Sequence, residues 1–107
     1  VHGGLTEAFA IAMGQEIRYD DEGNVVTGSF MDFFMPTAVE TPHWETDFTV
    51  TPSPHHPIGA KGVGEIVCIP TPPAIANALY NAIGLRVFRL PIRPEEVLAF
   101  LQEHPRI

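Results

Sequence analysis

The chain has 107 residues, a formal net charge of −7 and 45% hydrophobic residues. That composition suits one globular domain and argues against nucleic acid or an anionic membrane surface as partner. One cysteine, Cys68, excludes an internal disulfide and fits a reducing cytoplasm, while no charged-then-apolar leader and no run of 18 apolar residues marks secretion or a membrane span.

In chain order, Leu5, Ala8, Phe9, Ala12 and Met13 recur at helical spacing and predict an amphipathic helix over 4–15. Ile17-Arg18-Tyr19 alternates, Asp20-Asp21-Glu22-Gly23-Asn24 is turn chemistry, and Val25-Val26-Thr27 resumes extended backbone, which together predict a hairpin. Its acidic tip reads as a solvated turn, because the further ligands of a calcium loop are missing. Phe30, Met31, Phe33, Phe34 and Met35 form an apolar block before Pro36 that reads as core, with the lining of a channel or cofactor edge as the alternative. Asp32, inside that block, has to be paired or turned outward if it is charged. Residues 43–50 alternate well enough for a further strand.

Beyond them, residues 72–84 read as a helix opened by Pro72-Pro73, with Ile75, Leu79 and Ile83 on one face and Gly84 ending it. Residues 87–92 read as a short extended piece. Pro94-Glu95-Glu96 starts a last helix running to about Gln102, its early acids suiting the helix dipole and Val97, Leu98 and Leu101 its buried side. The fold class expected is α+β: a small mixed or antiparallel sheet, made of the hairpin and a further strand, with about three helices.

Chemistry concentrates in Ile58-Gly59-Ala60-Lys61-Gly62-Val63-Gly64-Glu65, where three glycines fall within six residues and a single carboxylate ends the run. Glycine reaches positive φ and lets another surface approach the backbone closely, and successive exposed amides form an anion-binding nest. Pro52, Pro54 and Pro57 upstream and Pro70, Pro72 and Pro73 downstream stiffen the flanks. On spacing alone such a loop is an ordinary turn. Lys61 lacks the Ser or Thr of a phosphate-binding P-loop, and the Gly-x-x-Gly-x-Gly order is wrong for a dinucleotide fingerprint. The histidines (His2, His43, His55, His56 and His104) stand in no metal-ligand spacing, Ser53 has no nucleophile-elbow context, and Cys68 reads as a buried inert thiol.

The octapeptide resembles the Gly-x-Gly-Glu signature of molybdenum hydroxylase large subunits, the xanthine dehydrogenase and aerobic carbon monoxide dehydrogenase family. Val1-His2-Gly3-Gly4-Leu5-Thr6-Glu7-Ala8, Gly28-Ser29-Phe30-Met31-Asp32-Phe33 with Met35-Pro36-Thr37-Ala38, Thr51-Pro52-Ser53-Pro54, and Pro72-Pro73-Ala74-Ile75-Ala76-Asn77-Ala78 follow in the family's order. The resemblance runs over nearly the whole chain. It implies that residues 1–107 are one C-terminal segment of a molybdopterin-binding domain, consistent with a start at Val1 without an initiator Met. Whether such a piece is engineered, proteolytic or a naturally split subunit stays open.

What the resemblance implies about chemistry is more specific. Glu65 corresponds to the active-site glutamate beside the metal: a general base in the hydroxylase branch, and in the carbon monoxide branch a carboxylate beside a copper–sulfur–molybdenum centre that assists a bound water. Lys61, Gly62, Val63 and Gly64 become the cofactor-binding residues, with Lys61 either paired to an acidic group or simply exposed. The cofactor implied is molybdenum–molybdopterin in its cytosine dinucleotide form, with [2Fe-2S] and FAD on partner subunits or domains. This segment on its own is expected to bind none of them. Its partners would be the remainder of the large subunit, the iron–sulfur and FAD subunits and a small-molecule substrate, with no nucleic acid and no membrane span. Carbon monoxide against an aldehyde or N-heterocycle stays undecided, as does self-association. The other reading is a catalytically inert structural or interaction segment.

Overall fold

The computed structural model describes residues 1–105. They form three α-helices, α1 (His2–Met13), α2 (Thr71–Ile83) and α3 (Pro94–Glu103), and one 3₁₀ turn at Ile66–Cys68. Helix α1 is the hub, and both α2 and the 3₁₀ turn pack on it. Its packed side is made of small residues: Ala8, Ala10 and Ala12 have no exposed surface at all. Small side chains let neighbouring backbone approach closely, so little area is needed to fix each neighbour in place.

The helix ends follow the turn chemistry of the sequence. Pro72 and Pro73 sit in the first turn of α2, and Gly84 closes it with φ 86°, its N–H donating to the Tyr80 carbonyl at 2.7 Å. Pro94 opens α3, with Glu95 and Glu96 in its first turn, where the positive end of the helix dipole favours them. Helix α1 starts two residues earlier than the apolar period suggests, and no side chain caps it.

Three long-range contacts tie the irregular connections to α1. Trp44 donates from Nε1 to Thr6 Oγ1 at 3.1 Å and meets Phe9 edge-on at 6.5 Å between ring centroids. The Ile92 amide donates to the Ala12 carbonyl at 2.7 Å, and Ile92 itself is buried. Beside it, Arg93 Nη2 donates to Glu16 Oε1 at 2.8 Å, a charge-assisted bond that anchors the start of α3 to the segment just after α1.

The expected sheet is not formed. Among the described residues there is no strand, only an isolated antiparallel bridge between Tyr19 and Val25. The turn at 20–24 is as expected, with Asp20 Oδ1 accepting from the amides of Glu22 and Asn24 at 2.9 and 2.8 Å. Pairing ends almost at once, because the Arg18 amide goes to Thr27 Oγ1 and a lone two-stranded ribbon has no third strand to stabilise it. Residues 43–50 are extended but unpaired, with Phe48 and Val50 84% and 87% exposed. The α+β expectation is therefore corrected to helices joined by long coil.

The expected core positions shift as well. Phe30 and Met31 are 85% and 96% exposed, and only Phe33 and Phe34 are half-buried, Phe34 lying against Gly14 where a Cβ would come within 2.6 Å of its ring. Asp32 is turned outward and accepts from Ser29 Oγ at 2.9 Å, as a charge in an apolar block requires. On α3, Leu98 and Leu101 are exposed, not buried. With Val97, Ile75, Leu79 and Met13 they line an open groove of about 600 Å³. Cys68 is half-buried and unpaired.

Two more measures show how open the molecule is. Its accessible surface is 8546 Å², against about 5,900 Å² for a compact monomer of this mass. Its radius of gyration is 17.7 Å, against about 13 Å for a compact chain of this length. One stretch, Ile66–Ile83, reaches a mean hydropathy of 1.2 over 18 residues, enough by length and composition for a membrane span. It is broken at Pro70, however, and α2 has 13 residues, so it is about 20 Å long where a bilayer core needs about 30 Å.

Two tests follow. Arg93→Ala and Glu16→Ala should each lower the unfolding free energy by roughly 0.5–1 kcal/mol, the range for a partly exposed pair, and the double variant by no more than either alone, measured by denaturant titration. The Asn24 amide and side chain beside Asp20 hold its carboxyl below the usual carboxylate range. A lowered folded-state value means that the turn's stabilisation is complete above pH 3.8 and is lost as pH falls through the lowered value. A carbon-detected NMR titration should place the Asp20 midpoint below 3.8, with the Asn24 amide shift following it.

Candidate active-site loop

The glycine loop is built in two halves that behave differently. In the first, Gly59 takes φ 73°, its N–H donating to the His56 carbonyl at 2.9 Å and its carbonyl accepting from the Ser53 amide at 3.0 Å. A Cβ at Gly59 would come within 2.7 Å of Pro52 Cβ, so the turn 53–59 closes on itself and needs glycine there. In the second half, Gly62 and Gly64 have no positive φ, and a Cβ on either would meet nothing within 4 Å. Glycine at those two positions leaves bare backbone facing open space.

That bare backbone also has free donors. Among the described residues, the amides of Gly62, Val63, Gly64 and Glu65 donate to no protein acceptor. Four successive unshared N–H groups beside a lysine are suited to anionic oxygens. Lys61 is exposed and has no acidic partner within ion-pair distance among the described residues. Lys61, Gly62 and Val63 line one side of a groove of about 600 Å³, with Phe48, Val50 and Ile58 among its apolar walls. Of the residues proposed from sequence for cofactor binding, Lys61, Gly62 and Val63 line this groove and Gly64 does not.

Glu65 is placed differently. It is the residue before the 3₁₀ turn, with φ −91° and ψ −14°, and its carbonyl accepts from the Cys68 amide at 3.0 Å. Its side chain is exposed and does not line the groove. The position is nonetheless tied down from behind. Gly64 and the 3₁₀ turn rest on the first turn of α1 at Gly4, where a Cβ would overlap the Gly64 carbonyl oxygen and a Val67 methyl. Cys68 Sγ points at the Gly4 carbonyl at 3.7 Å, and Thr71 Oγ1 donates to the Val67 carbonyl at 2.6 Å, linking the turn to α2. The Gly4 contact was not read from sequence. Its signal was there: a glycine inside a helix costs about 1 kcal/mol relative to alanine, so two adjacent ones at 3 and 4 call for a packing reason.

Among the described residues no cluster of three or more His, Cys, Asp or Glu could hold a metal ion. His56 Nδ1 lies 3.3 Å from the Ile58 amide, a local contact, and His2 Nε2 lies 3.4 Å from Thr46 Oγ1 at the exposed start of α1.

Comparison with known proteins gives this loop a family. Residues 1–42 match the model of the molybdopterin cofactor-binding domain, a match that ends before the glycine loop. The carbon monoxide dehydrogenase large chain of Afipia carboxidovorans is 73% identical over 82 residues, 77% of this chain and 10% of the relative. Among solved structures, a Cu,Mo-CO dehydrogenase in its carbon monoxide reduced state aligns with TM-score 0.78 and 57% identity, over 95% of this chain and 13% of that one. Quinoline 2-oxidoreductase from Pseudomonas putida 86 aligns with TM-score 0.81 and 33% identity, over 98% of this chain and 14% of that one. The chain spans about a tenth to a seventh of the length of these relatives, and the open helix-and-coil arrangement described above is shared with solved members over nearly all of it. The chain belongs to the molybdenum hydroxylase family, in its molybdopterin-binding large-subunit branch.

Proposed function

We propose that the chain is a C-terminal segment of the molybdopterin-binding domain of an oxidoreductase that oxidises or hydroxylates a small molecule with oxygen taken from water, and that it contributes the active-site base, Glu65. The observation that carries this reading is the bare, donor-rich backbone of Gly62 to Gly64 leading directly into Glu65, at a turn whose backbone rests from behind on α1.

In this reading Lys61 and the amides of Gly62, Val63 and Gly64 hold anionic oxygens of molybdenum–molybdopterin, in the cytosine dinucleotide form. When bound, that group supplies the two-electron acceptor for the substrate. Glu65 takes the proton from the attacking water at a carboxylate oxygen and thereby raises its nucleophilicity. The loop's job is positional: a carboxylate held at a fixed distance recovers part of the barrier as orientation already paid for by folding. Exclusion of water from Glu65 falls to polypeptide outside this segment, since its side chain is exposed here. Burial by that polypeptide is what gives a carboxylate the basicity required. Partner subunits or domains carrying [2Fe-2S] and FAD groups would supply the onward electron acceptors, in the cytoplasm. Relatives act in both branches, as carbon monoxide dehydrogenase and as quinoline 2-oxidoreductase, so the substrate class stays between carbon monoxide and an aldehyde or N-heterocycle.

A second reading concerns the segment by itself: a structural piece that is inert until the remainder of the large subunit is present. The excess of exposed surface favours it. The total surface is roughly 2,600 Å² beyond that of a compact monomer, and its apolar part, including Phe30, Met31, Phe48, Phe88 and the α2–α3 groove, is surface for a partner to cover.

In the intact enzyme, Glu65→Gln should lower kcat by on the order of 10²- to 10⁴-fold while molybdenum and pterin content stay near wild type; turnover close to wild type would remove Glu65 from the mechanism. The isolated chain should contain no molybdenum by metal analysis and elute from gel filtration as an oligomer. Stoichiometric metal in a monomeric peak would count against the inert-segment reading.

A further inference from the structure

We infer that Gly4 is a positioning residue for Glu65: by having no side chain, it sets how closely the Gly64–Glu65 turn settles on helix α1, and so where the carboxylate stands. The inference rests on the reading of Glu65 as the base and extends it to a residue 61 positions away in the chain.

The geometry is one-sided in a way that helix propensity cannot explain. Gly3 and Gly4 are neighbours in the first turn of α1, and both would gain helix stability as alanine. A Cβ at Gly3 would meet nothing within 4 Å, whereas one at Gly4 would overlap the Gly64 carbonyl oxygen and a Val67 methyl. One of the two obstacles is backbone, which has no rotamer to move into. The peptide that would be displaced is the one joining Gly64 to Glu65. Neither Gly64 nor Glu65 is restrained from the open side, so any displacement is passed to the carboxylate.

Two bonds make the contact a seat with a defined height. Cys68 Sγ approaches the Gly4 carbonyl at 3.7 Å, and the Cys68 amide returns to the Glu65 carbonyl at 3.0 Å. The path from Gly4 to Glu65 therefore closes through Cys68 as well as through Gly64. A side chain at position 4 would push on Gly64 and on Val67, the residue before Cys68. Catalysis by a fixed base loses about 10²-fold for a displacement near 1 Å, so a methyl group at position 4 is large on the scale that matters.

The test compares Gly4→Ala, Gly3→Ala, Cys68→Ala and Glu65→Gln in the assembled holoenzyme. Gly4→Ala should lower kcat at least tenfold, with KM within twofold and molybdenum content retained, and should speed hydrogen exchange at the Cys68 and Ile69 amides. Gly3→Ala should stay within twofold of wild type in rate and exchange. If Gly4→Ala does not assemble, Cys68→Ala reads the same coupling without overlap, with a severalfold drop in kcat and faster exchange at Ile69. Wild-type rate and exchange in both Gly4→Ala and Cys68→Ala, with Glu65→Gln inactive, overturn the positioning role and leave the base reading standing. An active Glu65→Gln enzyme overturns the base reading, and the positioning role with it.

Discussion

Closeness to helix α1 is the constraint on which the other elements depend. The helix turns alanines and one glycine toward its neighbours, and those neighbours are held by backbone as much as by side chains: Ile92 to the Ala12 carbonyl, the 3₁₀ turn to Gly4. A contact of this kind buries little apolar area and gains little from the hydrophobic effect, which scales with area. It gains definition instead, because a small residue tolerates no added methyl where the partner is backbone. The loop that ends in Glu65 inherits its place from this helix, not from its own prolines.

The helices were legible in the sequence because their signals are local. Pro72-Pro73 and Gly84 bracket α2, Pro94 with Glu95 and Glu96 opens α3, and the apolar period of α1 places it within two residues of its observed start. The strands were misread for an equally physical reason. Alternation at 43–50 records which side chains want cover, but a strand exists only when its amides find a partner chain, and here Phe48 and Val50 face open space. The same confusion between wanting cover and having it put Phe30, Met31, Leu98 and Leu101 in a core that these residues do not form.

For the loop, composition singled out eight residues but did not separate the purposes of their glycines. Three purposes are visible. Gly59 supplies a positive φ, Gly62 and Gly64 leave room for something outside the segment, and Gly4 lets the whole turn seat on α1. Only the first two belong to the loop's own sequence. The third lies 55 residues before Gly59 and appears only when the chain is folded, so no window along the sequence contains it.

These features together divide the work of the site between geometry and environment. This segment supplies geometry: a carboxylate on a turn fixed to a helix, next to unshared amides and a lysine. It does not supply the low-dielectric surroundings in which a carboxylate becomes a strong base, since Glu65 is exposed and its neighbours Gly62 and Gly64 are open. A segment matching about an eighth of its structural relatives' length, with some 2,600 Å² more surface than a compact monomer, is shaped to be covered. On the proposed function, the apolar residues left exposed, Phe30 and Met31 on one connection and Phe48 and Val50 on another, would be covered by further polypeptide, and the same event would exclude water from Glu65.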